Sequence, residues 1–502
     1  MISRRARLGL RIAAVLATLG TPLAARSQER TPGERLPVRE TTLDNGMRVL
    51  ALERRGAPTV AFVVQYDVGS LQEHLGDTGT AHLLEHLLFK GTTTVGTRNL
   101  QAELALFARM DAAHDTLIRA RAAGDSADVT RLGTVIDALE DTARIFVVPN
   151  EYDRILTRAG AQGLNATTTN ESTSYFVELP ANRAELWFVL EADRMANPVF
   201  REFYTERKVV MEERSTRTDT DPGGLLYEAH LAAAFTMHPY GVPVVGYMSD
   251  LENLGRQDVE RYYRRFYGPN HAVVVVVGDI DADRTLRWAR KYFGPIPRGE
   301  DSPPVLAREP RQHGARRVDI VWDAEPSVRI GWHVPSALDA DAPALTMLTS
   351  LLTGGRTSRL YRRLILDDRS ATGVYSSLGP GERFPQLFQI EATPRAPHTT
   401  ADVERAVYEE IERLATEGPT QQELERVRNQ VDAGNIRRLQ SNVGLAFQIA
   451  ESTTLTGDWR DTFRLSERIE GVTAADVRRV AAAYLTRENR TVATLRRKEP
   501  GT

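Results

Sequence analysis

Residues 78–92, TGTAHLLEHLLFKGT, place His82 and His86 four apart, with Glu85 directly before the second histidine. On an α-helix positions i and i+4 share a face, so the two imidazoles can reach one metal ion. Glu85 lies at i+3 from His82 and projects near the same face. A metal such as zinc lowers the pKa of a bound water, and a carboxylate beside it can take the proton, which is chemistry suited to hydrolysis. The arrangement needs a third protein ligand from elsewhere and leaves a fourth position for water. Cysteine is absent, so that ligand must be His, Asp or Glu. The plainer alternative is an amphipathic helix with two partly buried histidines among leucines, although a chain with ten histidines rarely forms this pentad by chance.

The elements that would position the motif can be read along the chain. The turn Asp44-Asn45-Gly46 is flanked by strand-like runs 47–53 and 59–68. A helix begins near Asp77 or Thr78, either of which could cap it. An Ala-, Arg- and Leu-rich stretch, about 100–145, is broken at AAGDSAD and predicts a helical hairpin. GLNATTTNESTSYFVEL (163–179) predicts paired strands, and helices follow over RAELWFVLEADRMA, YTERKVVMEERSTR and DLENLGRQDVERYYRRFY. The valine run of 271–280 is too apolar for a half-exposed strand and predicts a buried one. After a Pro- and Gly-rich stretch (294–317), the pattern repeats: strands, a helix near 341–352, more strands, a long polar helix around 401–450, and a closing helix and strand. The expected architecture is α+β, two homologous layered halves forming a clamshell. The halves are residues 38–297 and 318–498, joined by a linker at 298–317.

GSLQEHLGDTGTAHLLEHLLFKGT resembles the pitrilysin, insulinase and mitochondrial processing peptidase family, whose H-x-x-E-H order is a metallopeptidase signature. LNATTTNESTSYF, ERKVVMEE, HPYGVPVVGYMSDLENL, FYGPNHAVVVVVGDI and GGRTSRLYRRL agree with the family in order and extend the resemblance over nearly the whole chain after its leader. The resemblance implies a zinc endopeptidase holding one Zn2+ per chain and acting on peptides or unfolded segments. His82 and His86 match its histidine ligands, and Glu85 its general base. In the family a glutamate opens the E-R helix and the last ligand lies seven residues on, which here gives Glu206 and Glu213. Seven residues is two turns, so the two carboxylates share a face, whereas Glu212 points about 100° away. Glu206 is grouped with the catalytic set, steadying the site beside the metal. Asn165 matches the asparagine of the cleft strand, where it can bind substrate backbone; the alternative is a turn-forming residue. Tyr175, Trp187, Phe188 and Leu190 are expected in the core, and His74 and His238 as structural or surface residues.

The net charge of −3 offers no electrostatic footprint for nucleic acid or anionic membrane. Residues 1–27 combine early arginines, an apolar run too short to span a bilayer and small residues near Ala25, as in a cleaved secretory signal. Export to the periplasm or the extracellular space is expected, with a mitochondrial presequence and a matrix processing protease as the alternative. Two departures from the family matter. The gap between His86 and Glu213 is long, which the helical hairpin accounts for. The arginine and tyrosine that many members carry in the second half fall at Ile365 and Thr372, while Arg369 and Tyr375 stand in the wrong order and spacing. The expectation is a zinc-bearing subunit completed by a homologous partner that supplies Arg and Tyr, with a homodimer as the alternative. A non-catalytic, chaperone-like assembly subunit of the same fold is the reading from another class.

Overall fold

The computed structural model describes residues 36–498, so the expected leader at 1–27 lies outside the described residues. Two sheets form the frame. The first comprises β1 (Arg39–Thr42), β2 (Arg48–Glu53), β3 (Thr59–Tyr66), β4 (Gln162–Thr168), β5 (Thr173–Pro180) and β6 (Ala272–Gly278), in the order β1-β2-β6-β3-β5-β4. The second comprises β7 (Arg316–Trp322), β8 (Ser327–Val334), β9 (Ala371–Gly379), β10 (Gln386–Pro394) and β11 (Arg490–Arg497), in the order β7-β11-β8-β10-β9. Each sheet has one parallel pair, β2/β6 or β7/β11, and is otherwise antiparallel. Removing β1 makes the two orders superimposable, so the chain consists of two homologous α+β halves.

Seven helices of the first half matter for the site: α1 (Thr80–Leu87), α2 (Leu100–Ala122), α3 (Ser126–Ala143), α4 (Glu151–Arg158), α5 (Ala184–Ala196), α6 (Phe203–Arg214) and α7 (Pro222–Ala234). Helices α2 and α3 form the hairpin, with Gly124 at its turn and the Asp125 side chain accepting from the Asp128 N–H to start α3. Strand β6 is buried along its whole length because both of its faces are covered. Val274 and Val276 pack with Trp187, Phe188 and Phe293 on one side. Val273, Val275 and Val277 pack on the other against Leu445, Ala446, Ile449 and Ala450 of the second half's helix Asn442–Thr456. Conversely, α7 of the first half lies on the second sheet, where Leu226 meets Ala493 and Leu495. Each half thus lends a helix to the other's sheet, and neither sheet has both faces covered by its own half.

Three expectations change in detail. The helix over 250–267 is two, Met248–Asn253 and Arg256–Phe266, because Leu254 and Gly255 adopt extended backbone and the Asp258 side chain caps the second. The long polar helix is three, Thr400–Glu417, Gln421–Gln440 and Asn442–Thr456, broken at Gly418 with φ +77° and again where Ser441 caps the third. Helix α1 begins at Thr80, and neither Asp77 nor Thr78 caps it. Gly79 takes the cap position at φ +88°, where a side chain would strike the Val245 carbonyl oxygen.

Candidate metal centre

The cap of α1 comes from a distance in sequence. Glu73 is buried and accepts the N–H of Gly79 at 2.9 Å on one oxygen and that of Ala81 at 2.7 Å on the other. This fixes the start of the short helix carrying the histidines. Burial pushes the Glu73 carboxyl up to about 8, against the pull of the two N–H bonds. A carboxyl raised in the folded state binds a proton on folding. Its stabilising contribution is therefore complete below its unfolded value and is lost as pH rises towards 8. The expected result is that the melting-temperature difference between wild type and Glu73→Gln shifts by several degrees against wild type from pH 5 to pH 8. A pH-independent difference in a calorimetric series would show that Glu73 does not titrate there.

His82 and His86 project from one face of α1, their ring centroids 5.0 Å apart. Helix α6 packs alongside and brings Glu213 to them: its Oε2 is 3.8 Å from His82 Nε2 and 3.6 Å from His86 Nε2. One donor atom from each of the three residues lies within 4.8 Å of the others. Two donors bound about 2.1 Å from one tetrahedral zinc lie about 3.4 Å apart, so the triad is close to the size of a zinc site. The donor set, two imidazoles and a carboxylate, also suits zinc. Burial, followed by the neighbouring His86, lowers His82 to about 4, so its imidazole is neutral at physiological pH and has a lone pair to offer. Glu212 is exposed on the other side of α6, on the face where Lys208 of the same helix pairs with Asp137 of the hairpin, and takes no part.

Glu206 faces the back of His86 rather than the gap between the donors. Its Oε2 lies 3.4 Å from His86 Nδ1, and its Oε1 pairs with Lys90 Nζ at 2.6 Å. Burial raises its pKa, but the hydrogen bonds from His86 and Lys90 outweigh this and leave it lowered. A carboxylate on Nδ1 selects the tautomer whose Nε2 lone pair faces Glu213. Glu85 is reached from β4: the Thr168 hydroxyl donates to its Oε2. Burial raises the Glu85 carboxyl, partly opposed by that hydrogen bond.

Asn165 sits on the same strand as Thr168 but not on the same face. It is exposed and pairs in register with Phe176, whose ring packs on Phe447 of the lent helix, whereas Thr168 turns towards α1. What β4 does present is the free edge of the first sheet. Tyr175, Trp187, Phe188 and Leu190 are buried, as is His238, and His74 is exposed. Glu73, Lys90, Thr168 and Arg217 are the contributors that sequence reasoning missed. Glu73, Lys90 and Thr168 are single polar residues with no periodic signal towards their partners, whereas Arg217 stands at the helical i+4 spacing from Glu213, which was the signal that could have found it. In the second half, Ile365 is packed against the core and Thr372 is exposed on β9.

Residues 48–115 and 147–247 match the family Insulinase (Peptidase family M16), and residues 253–431 match the Peptidase M16 inactive domain. Between the two matched segments of the first of these, residues 116–146 are unmatched and hold the end of α2 and all of α3, so within that half the chain departs from the family model in the hairpin. The chain is similar to the zinc protease PqqE of Helicobacter pylori, at 28% identity over 446 residues, 87% of this chain and 86% of the relative. It is similar to the probable mitochondrial-processing peptidase subunit beta of Arabidopsis thaliana, at 23% identity over 89% of this chain and 76% of that protein. The crystal structure of a protease from Helicobacter pylori superimposes with a TM-score of 0.78 at 25% identity, covering 92% of this chain and all of that one. The chain belongs to the insulinase family of peptidases, most of its first half matching the family M16 model and the rest of that half, with much of the second, the domain described as inactive.

Proposed function

We propose that the chain is a zinc-dependent endopeptidase acting on peptides or unfolded segments, with one Zn2+ held by His82, His86 and Glu213. The observation that carries this is the convergence of those three donors beside Glu85. Bound there, zinc supplies Lewis acidity to a water and to a peptide carbonyl. Glu85 takes a proton from the attacking water as its oxygen bonds to the carbonyl carbon. As the C–N bond breaks, Glu85 returns that proton to the leaving amine. Thr168 holds the Glu85 carboxylate in position, and Glu206, itself held by Lys90, orients His86. An extended substrate adds to the free edge of β4, where backbone hydrogen bonds rather than the side chain of Asn165 give most of the binding.

The basic, apolar leader supports an exported protein. A structural neighbour at 17% identity is titled a periplasmic protease, PqqL. Ile365 has no polar group, and Thr372 has only a short neutral hydroxyl, directed at the Thr393 carbonyl, so neither can hold a substrate oxyanion as Arg or Tyr would; this supports a homologous partner chain contributing Arg and Tyr, or a homodimer.

The test is zinc content and peptide cleavage together. Wild type is expected to bind one zinc per chain and to lose cleavage on chelation, with recovery on adding zinc. Glu213→Gln is expected to weaken zinc binding by about 100-fold or more, while Glu212→Gln behaves as wild type. Equal zinc binding by the two variants would remove Glu213 from the site. A wild type that binds zinc but cleaves only with a homologous chain added would establish the divided enzyme.

A further inference from the structure

We propose that Arg217 recognises a substrate carboxylate beside the scissile bond, giving the enzyme a preference for peptides with an acidic side chain there. This rests on the peptidase reading and names the substrate class for the same site. The Glu213 carboxylate faces two ways: Oε2 points at the two histidines, and Oε1 accepts from Arg217 Nη1. The guanidinium is therefore one carboxylate removed from the metal donors. The Arg217 side chain is 75% exposed.

The position of Arg217 is built into the backbone. Beyond α6 the chain widens into a π-helical turn, Ser215–Asp219, closed by the Thr220 N–H on the Ser215 carbonyl at 2.8 Å. Such turns recur at functional sites because they displace side chains from the regular helical face. Helix α7 locks this turn. At Gly224 a Cβ would lie 2.0 Å from the Arg217 carbonyl oxygen, so only glycine permits the contact. The nearby Asp219 is already paired with Arg214 at 3.1 Å, which leaves Glu213 as the acid on Arg217. A guanidinium offers five donors in a planar fork suited to carboxylate, and one bond to Glu213 leaves the rest of the fork facing solvent. The second half has Ile365 and Thr372 where a cationic and a phenolic group were expected; Arg217 places a cation at the metal-bearing face from the first half.

An exposed i,i+4 ion pair with no further role would leave binding indifferent to substrate charge. The experiment measures binding without turnover, using zinc-loaded Glu85→Gln protein and fluorescent ten-residue peptides of one sequence. Glu, Gln or Lys is placed at each position in turn, with free and amidated C-termini. At one position or more, Glu is expected to bind about tenfold tighter than Gln, in both C-terminal forms. Adding Arg217→Gln should erase that preference with zinc content unchanged, and Arg217→Lys should keep part of it. The proposal is overturned by the absence of any Glu preference, by a preference that survives Arg217→Gln, or by one confined to free C-termini. It is also overturned if Arg217→Gln costs zinc and weakens every peptide alike, since Arg217 would then only be holding Glu213. A Glu preference that depends on Arg217, in a protein whose wild type cleaves nothing even with a homologous chain added, would keep Arg217 as the carboxylate-binding group while ending the peptidase reading.

Discussion

Glu85→Gln is expected to lower kcat for peptide cleavage by about 10²–10⁴, the usual contribution of a positioned general base. KM and zinc content should stay near wild type. The amide matches the carboxylate in size and still accepts the Thr168 hydroxyl, so the geometry of α1 is preserved. What it loses is the ability to take the proton of the attacking water and return it to the amine. Glu85 is not among the three donors that converge, so removing its charge does not remove a ligand. Steady-state kinetics beside metal analysis separates the possibilities. A variant with wild-type kcat would exclude Glu85 as the base. A variant that lost zinc would make Glu85 a ligand and displace Glu213 from that place.

The parts of this site that were legible in sequence are those that local geometry dictates. His82, Glu85 and His86 lie within one and a half turns, so any helix over 80–87 must present them together. Glu206 and Glu213 come from the family resemblance, and helical phase sets Glu213 apart from Glu212; in the structure Glu213 faces the histidines and Glu212 the outer surface. The shell around them was not legible, because it is assembled by tertiary contact. Glu73 caps α1 from seven residues upstream of its first residue, across a loop, and Thr168 reaches Glu85 across 83 residues. Neither spacing is a periodicity.

The same limit governs the fold. The repeat of strand and helix order was visible, and the matching sheet orders bear it out. The exchange of helices between halves was not visible. The apolar positions Leu445, Ala446, Ile449 and Ala450 show that the helix Asn442–Thr456 must bury a face, but not that the face belongs to the other half's sheet. Helix α7 had a signal that passed unread, Asp221 before Pro222, and the Asp221 side chain does cap it by accepting the Gly224 N–H.

The largest effect on stability is expected at Arg201, which joins the helical hairpin to the segment that follows the helix carrying His82 and His86. Arg201 and Glu103 of α2 form an ion pair at 3.1 Å, and both side chains are wholly inaccessible to solvent. The same guanidinium donates to the carbonyls of Lys90 and Val95 at 3.2 Å and of Thr92 at 2.5 Å. Arg201→Ala would leave Glu103 charged or protonated in a dry site and remove a donor from three carbonyls, of which Val95 keeps the Thr92 N–H. Breaking such a pair from one side costs about 3–5 kcal/mol. Glu103→Gln should cost less, because an amide oxygen can still accept from Arg201 and the three carbonyls keep their donor. The double variant Arg201→Met, Glu103→Leu removes both charges and should be less destabilised than Arg201→Ala despite changing more atoms. Denaturant unfolding of the three variants gives the comparison. A cost below about 1 kcal/mol for Arg201→Ala would mean that the 90–96 segment is held by its own turns. The loop also carries Lys90, which grips Glu206 and through it His86. The Arg201 variants should therefore lose zinc affinity along with stability, whereas a destabilising change in the second half's core should lower stability alone. If zinc affinity were untouched in folded Arg201→Ala protein, the hairpin and the metal centre would be energetically separate parts of the first half.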